Sequence, residues 1–172
     1  MRKLLFSAII AASVMSCQTE TLKTAYVDNS RLVQEYHKME TTEAKFEKKN
    51  EALSDELDAV AQEFQKEVQE FQEKASAMNK ADLDKKQNEL MQKQQMLQQQ
   101  QQEKSSELRK ESDDAINAII DDVKEYVSNY GKDEGYTYIF GSNESANIMY
   151  AEEGLDITDE VLKSLNAEDS LK

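Results

Sequence analysis

No proline occurs anywhere in the 172 residues. Proline removes a helical hydrogen bond and clashes with the preceding turn, so it is the strongest helix breaker. The four glycines, the next strongest breakers, all fall between positions 131 and 154. Upstream of 131 the chain can run in very long helices, and its glycine-based turns are confined to the C-terminal quarter. A turn-rich β-sandwich or an α/β enzyme with Gly-rich loops is thereby disfavoured. Hydrophobic residues make up 38 % and charged residues 33 %. Apolar surface is therefore spread thinly along an elongated body rather than gathered in a large core.

From Leu32 the apolar residues recur every seven positions. One seam line is Tyr36, Glu43, Asn50, Leu57, Phe64, Phe71 and Met78. The other is Leu32, Met39, Phe46, Leu53, Val60, Glu67 and Lys74. This is a coiled-coil pattern, with Glu43, Asn50 and Glu67 expected to weaken it locally. A second phase carries Leu83, Leu90 and Leu97, alternating with polar Gln87, Gln94 and Gln101. A richer stripe follows from Leu108 through Ile119 and Val123 to Tyr130. The Gln tract ending at Gln102 continues the leucine heptads, and Gln is a good helix former, so a polar helix is expected there.

The two phases meet at Asn79-Lys80-Ala81-Asp82, where Asn and Asp favour a cap or turn. One helix of about 100 residues or a hairpin would both satisfy the periodicity. The hairpin is favoured because two equal arms of about 50 residues return the chain to its starting point. Residues 24–29 read as a short first strand, with Asn29 or Ser30 capping the helix that follows. Residues 30–130 form the hairpin. Residues 131–166 form the remaining body, with strands at 136–140 and 147–151 and a helix capped by Thr158. Residues 167–172 are expected to fray. The fold class is mainly α with a small β body: a long antiparallel coiled-coil hairpin plus short strands.

The N-terminus reads as a secretory signal over residues 1–16, with Arg2-Lys3 before a short apolar run to Met15. That run is too short to span a bilayer. Val14-Met15-Ser16-Cys17 resembles a bacterial lipobox, which would make Cys17 the lipidated first residue of the mature chain. An ordinary signal peptide with an incidental cysteine is the alternative. Residues 17–23 then form a tether. Cys17 is the only cysteine, so no internal disulfide can form.

Net charge is −14. Such a surface repels a polyanion, so no nucleic-acid partner is expected. His37 is the only histidine and has no catalytic or metal-ligating company in sequence. No catalytic residue, metal site or cofactor is expected, and the carboxylate pairs Asp82/Asp84 and Asp121/Asp122 read as solvated faces. Around the proposed tip, lysines outnumber acids in an otherwise acidic chain. Met78, Lys80, Lys85 and Lys86 are the candidate contact residues there.

The order of these elements resembles the Skp/OmpH family of periplasmic chaperones. Leu155-Asp156-Ile157-Thr158-Asp159-Glu160-Val161-Leu162-Lys163 is similar to that family's terminal motif. Ala25-Tyr26-Val27-Asp28 followed by Ser30-Arg31-Leu32 is similar to its opening strand and helix start. The resemblance implies a homotrimer with a shared β body and three arms around a cavity. It implies ATP-independent binding of unfolded outer-membrane proteins in that cavity. Two features depart from familiar members, which are basic and free in the periplasm: the acidic charge and the membrane anchor through Cys17. A structural or adaptor coiled-coil lipoprotein of the envelope, with one stable partner, is the competing expectation.

Overall fold

The computed structural model describes residues 22–143 and 148–169. Strand β1 (Thr24–Asp28) leads into a short helix α1 (Asn29–Gln34). Helix α2 (His37–Lys74) runs outward, a 3-10 turn spans Ala75–Ala77, and α3 (Lys80–Asp133) runs back. Strand β2 (Tyr138–Ser142) and helix α4 (Thr158–Asp169) complete the body. The hairpin and the small β body are as the sequence suggests.

The arms are unequal, however, at 38 residues for α2 and 54 for α3. The shortfall lies at the base. Tyr36 takes an extended backbone (φ −71°, ψ 125°) and separates α1 from α2. Its ring is buried, and its hydroxyl donates to Asp169 at 3.3 Å. Asn166 of α4 spans the break. Its side-chain oxygen accepts from the His37 N–H at 2.9 Å, and its amide donates to the Glu35 carbonyl at 3.1 Å. The frayed tail expected from 167 is thus helical through Asp169 and holds the base of the arm.

The tip turn comes at 75–79. Asn79 caps α3 by accepting from the Asp82 N–H at 3.0 Å. The base of α3 ends in a Schellman motif. Tyr136 N–H donates to Gly131 O at 2.8 Å and Gly135 N–H to Lys132 O at 3.3 Å, around Gly135 at φ 71°. Gly135 stops the helix. Gly131 lies inside the helix, where an added Cβ would stand 3.1 Å from Ile139 Cδ1.

β1 and β2 pair in parallel, Thr24 with Tyr138 through Asp28 with Ser142. The returning strand expected at 147–151 is not formed among the described residues of that stretch. Met149 and Tyr150 there are 88 % and 83 % exposed, so no burial holds them to the sheet. The other edge of β1 is instead met by the segment around Asp156. Tyr26 N–H donates to Leu155 O at 2.9 Å, and Ile157 N–H to Tyr26 O at 3.0 Å. All three segments run parallel.

The core lies where this sheet meets the helix bases. Val27, Leu32, Ile119, Val161 and Thr158 are fully buried, with Val123, Ile157 and Leu165 beside them. α1 is capped by Asp28 rather than Asn29 or Ser30; its carboxylate accepts from Ser30 N–H at 2.9 Å and Arg31 N–H at 3.0 Å. Thr158, expected to cap α4, is turned inward, and the Asp156 carboxylate accepts its N–H at 2.9 Å.

Candidate functional site

The arms are the largest exposed feature, and their inner faces differ from the heptad reading in an informative way. On α2, Glu43 and Asn50 face solvent; Thr42 and Lys49 take their places, half-buried. Beyond Leu53 the expected line returns through Leu57, Phe64, Phe71 and Met78. The change is made by steps of three, four and four residues, Phe46 to Lys49 to Leu53 to Leu57, a local eleven-residue spacing inside a seven-residue repeat. On α3, Gln87, Gln94 and Gln101 are exposed, while Lys86, Lys93 and Gln100 are half-buried beside the leucine line. The seam is therefore half apolar and half ionic.

The ionic half is a ladder. Lys38 pairs with Asp122, Lys49 with Glu111, Glu56 with Lys104, and Glu67 with Lys93 at 2.6 Å. Steps of 11, 7 and 11 residues along α2 are matched by the same steps backward along α3. The polarity reverses halfway. Near the base lysine is on α2 and the acid on α3, and toward the tip the reverse holds. Sliding one arm to bring the tip rungs against the base rungs would oppose like charges, so the ladder specifies one register. Glu67 also accepts from Lys86 at 2.9 Å. Hydrogen bonds from Lys93 and then Lys86 hold the Glu67 carboxyl below its usual range, despite some desolvation. Glu67 is thus a rung rather than the weak point expected.

Among the candidate contact residues, Lys80 is exposed at the start of α3, and Lys85 is exposed with Glu89 at 3.9 Å. Met78 is half-buried at the end of the 3-10 turn. Lys86 is turned away from them into the seam by Glu67. Cys17 lies outside the described residues. Midway along the hairpin a groove of about 300 Å³ is lined by Leu57, Val60, Phe64 and Leu97 among glutamines. On α3 nearby, Met91 and Met96 are 54 % and 58 % exposed. At the base a cavity of about 580 Å³ lies between α3 and α4, lined by Tyr36, Tyr126, Tyr130 and several carboxylates. Burial first, then Glu160, pushes the Tyr130 hydroxyl up to about 12.

Among the described residues no group of three or more His, Cys, Asp or Glu could hold a metal ion. The His37 side chain is exposed. None of the described helices is long and apolar enough to cross a membrane.

The terminal motif has a structural task. Asp156 accepts from both the Thr158 N–H and the Thr158 hydroxyl, the latter at 2.5 Å. Burial would raise its carboxyl, but these bonds, Tyr26 and the Arg31 charge outweigh burial and hold it lower than usual. Arg31 in turn bonds Glu35 at 3.0 Å and Asp159 at 2.9 Å. The motif's polar residues therefore tie α4 to β1 and α1, which squares the arm on its base.

A parallel strand pair joined by a long helical hairpin and closed by this motif defines an arm-and-body class of protein. The sequence profile of the family described as outer membrane protein (OmpH-like) matches residues 23–165, and the chain belongs to that family. The protein is also similar to outer membrane protein 26 of Haemophilus influenzae, at 43 % identity over 49 residues. That stretch covers 28 % of this chain and 23 % of the relative. In fold it matches a crystal structure from Caulobacter crescentus described as a candidate outer membrane chaperone (OmpH-like). The TM-score is 0.75 at 16 % identity, covering 86 % of this chain and 85 % of the other.

Proposed function

We propose that this protein is an ATP-independent holdase of the Gram-negative envelope that keeps unfolded outer-membrane proteins from aggregating. Membership in the OmpH-like family, together with the arm-and-body fold, supports a chaperone role. The observation that carries the holdase reading is the composition of the arms. Their seam is closed by ionic rungs as much as by apolar packing, which leaves the Leu57–Phe64 groove and Met91 and Met96 accessible. Scattered apolar contacts of this kind hold an unfolded chain through many weak interactions. Methionine suits such varied contacts because its side chain is flexible and polarizable.

The working unit in this reading is a homotrimer whose three hairpins enclose a cavity. Tyr138 and Phe140 support it. They stack at 5.8 Å on the outer face of β2 and are 56 % and 52 % exposed, an apolar face that a second copy would cover. In this reading residues 1–16 are a lipoprotein signal, Cys17 is acylated and anchors the protein to the outer membrane, and Met78, Lys80 and Lys85 contact clients at the tips. No catalytic step or cofactor is required.

The test is dilution of a urea-unfolded outer-membrane barrel into the soluble protein lacking residues 1–17. Suppressed aggregation at trimer excess supports the holdase. If turbidity rises as it does without the protein, and pull-downs yield one stoichiometric partner, the adaptor reading replaces it.

A further inference from the structure

We infer that the anchored protein stands with its base toward the membrane and its arm tips about 80 Å away, so that the client-holding arms open away from the anchoring leaflet. This rests on the acylation of Cys17 proposed above. Lys23 fixes where the tether meets the body. Its carbonyl accepts from the Thr137 N–H at 2.7 Å, its ammonium donates to the Glu134 carbonyl at 2.6 Å, and that ammonium also sits 3.9 Å from the centre of the Tyr136 ring. All three partners belong to the turn that ends α3. A lysine there is also favoured by the negative end of the helix dipole.

The chain therefore enters the body at the end of α3 farthest from the tip. Between that pole and the tip lies one unbroken 54-residue helix, about 80 Å at 1.5 Å per residue. From Cys17 to Lys23 the backbone reaches at most about 20 Å. That is far too short for the body to invert, with its tips at the membrane and its base held about 80 Å out. α2 and α3 together carry more acids than bases, so an anionic bilayer keeps the arm shafts off its surface despite the lysines at the tip. An unfolded chain arriving from across the envelope would then meet the tips before the base.

The experiment uses the full, acylated chain in phosphatidylethanolamine–phosphatidylglycerol vesicles carrying an acceptor dye on the headgroups. Flotation with the vesicles, lost in Cys17→Ser, tests the anchor. A donor dye is then placed on a single introduced thiol: Lys132→Cys near the base, Glu107→Cys partway along, or Ser76→Cys at the tip. Each of these positions is exposed. Transfer should fall steadily from 132 through 107 to 76, with the base position several-fold above the tip. Flotation with equal transfer from all three positions overturns the orientation alone. Failure to float removes the anchor, and the proposal falls with it.

Discussion

The backbone N–H of Asp28 donates to the hydroxyl oxygen of Thr158 at 2.9 Å, joining the end of the first strand to the start of the last helix across 130 residues. The same hydroxyl donates to Asp156, and Thr158 is only 1 % exposed. Thr158→Val keeps the shape but strands the Asp28 N–H in a part-buried site. A loss of about 1–3 kcal/mol is expected. Thr158→Ser, which gives up one buried methyl worth about 0.8 kcal/mol, should lie between Val and the wild type. Urea titration followed by circular dichroism measures both. If Val is as stable as Ser, the hydrogen bonds are not what retains threonine there.

Reversing one rung should unzip the outer half of the hairpin. Glu67→Lys gathers three ammonium groups where Lys86 and Lys93 now share one carboxylate. Thermal melting of the arm should shift downward, and the shift should shrink at high salt, which screens the repulsion. Adding Lys93→Glu restores one opposed pair and should recover part of the loss. Equal melting of the single and double variants would mean that the rung does not set register.

The pH response follows from the same rungs. Hydrogen bonds from Lys93 and Lys86 depress the Glu67 carboxyl, and a hydrogen bond from Lys49 depresses Glu111. A depressed folded-state value means the stabilisation is complete above the ordinary carboxylate value of 4.5 and fades as pH falls through the lower folded value. Helical signal from the arms should therefore stay constant from neutral pH to about 5 and weaken below 4.5. Glu67→Gln should flatten that acid limb while lowering stability at neutral pH. An unchanged acid limb in this variant would assign it to other carboxylates, Glu111 first.

Much of the hairpin was legible because missing prolines and recurring apolar residues are both one-dimensional signals. Asn79 could be placed as a cap for the same reason. The offset from Glu43 to Thr42 and from Asn50 to Lys49 was not, because it depends on which residues of α3 face them. Lys86 reads as tip charge until α2 supplies Glu67, which holds Lys93 as well. Spacing could have revealed them, since both lie one turn from a heptad leucine. The third segment of the sheet was misplaced because Ile148-Met149-Tyr150 is a short apolar run of the kind strands use, but Met149 and Tyr150 have nothing to pack against. The pairing at Leu155–Ile157 uses backbone groups, which leave little trace in sequence.

The hinge at Tyr36 should loosen when its clasp is removed. Asn166→Ala loses the bonds to Glu35 and His37 that bridge the break between α1 and α2. A destabilisation of about 1 kcal/mol is expected, at the usual net worth of such bonds. The sharper readout is local. Amide hydrogen exchange at His37 should accelerate, while Leu53 in mid-arm stays protected. Equal acceleration at both positions would mean the whole arm is loosened and the clasp is not local.

The division between arm and body can be tested by breaking one without the other. Leu57 and Leu108 are half-buried in the arms and outside the core that gathers Leu32, Ile119, Val123 and Val161. A proline at either position removes a helical hydrogen bond and costs about 3 kcal/mol where it falls. Leu57→Pro and Leu108→Pro should therefore reduce helical content and client protection, while the body keeps its near-ultraviolet signal from Tyr36, Tyr126, Tyr130 and Tyr136. Ile119→Ala strikes the shared base instead. Its side chain is 1 % exposed, and the change should cost about 2–5 kcal/mol and unfold arm and body together. Loss of the tyrosine signal or of oligomerisation in the proline variants would show that the arms are needed to build the body, and that the two do not fold as separate units.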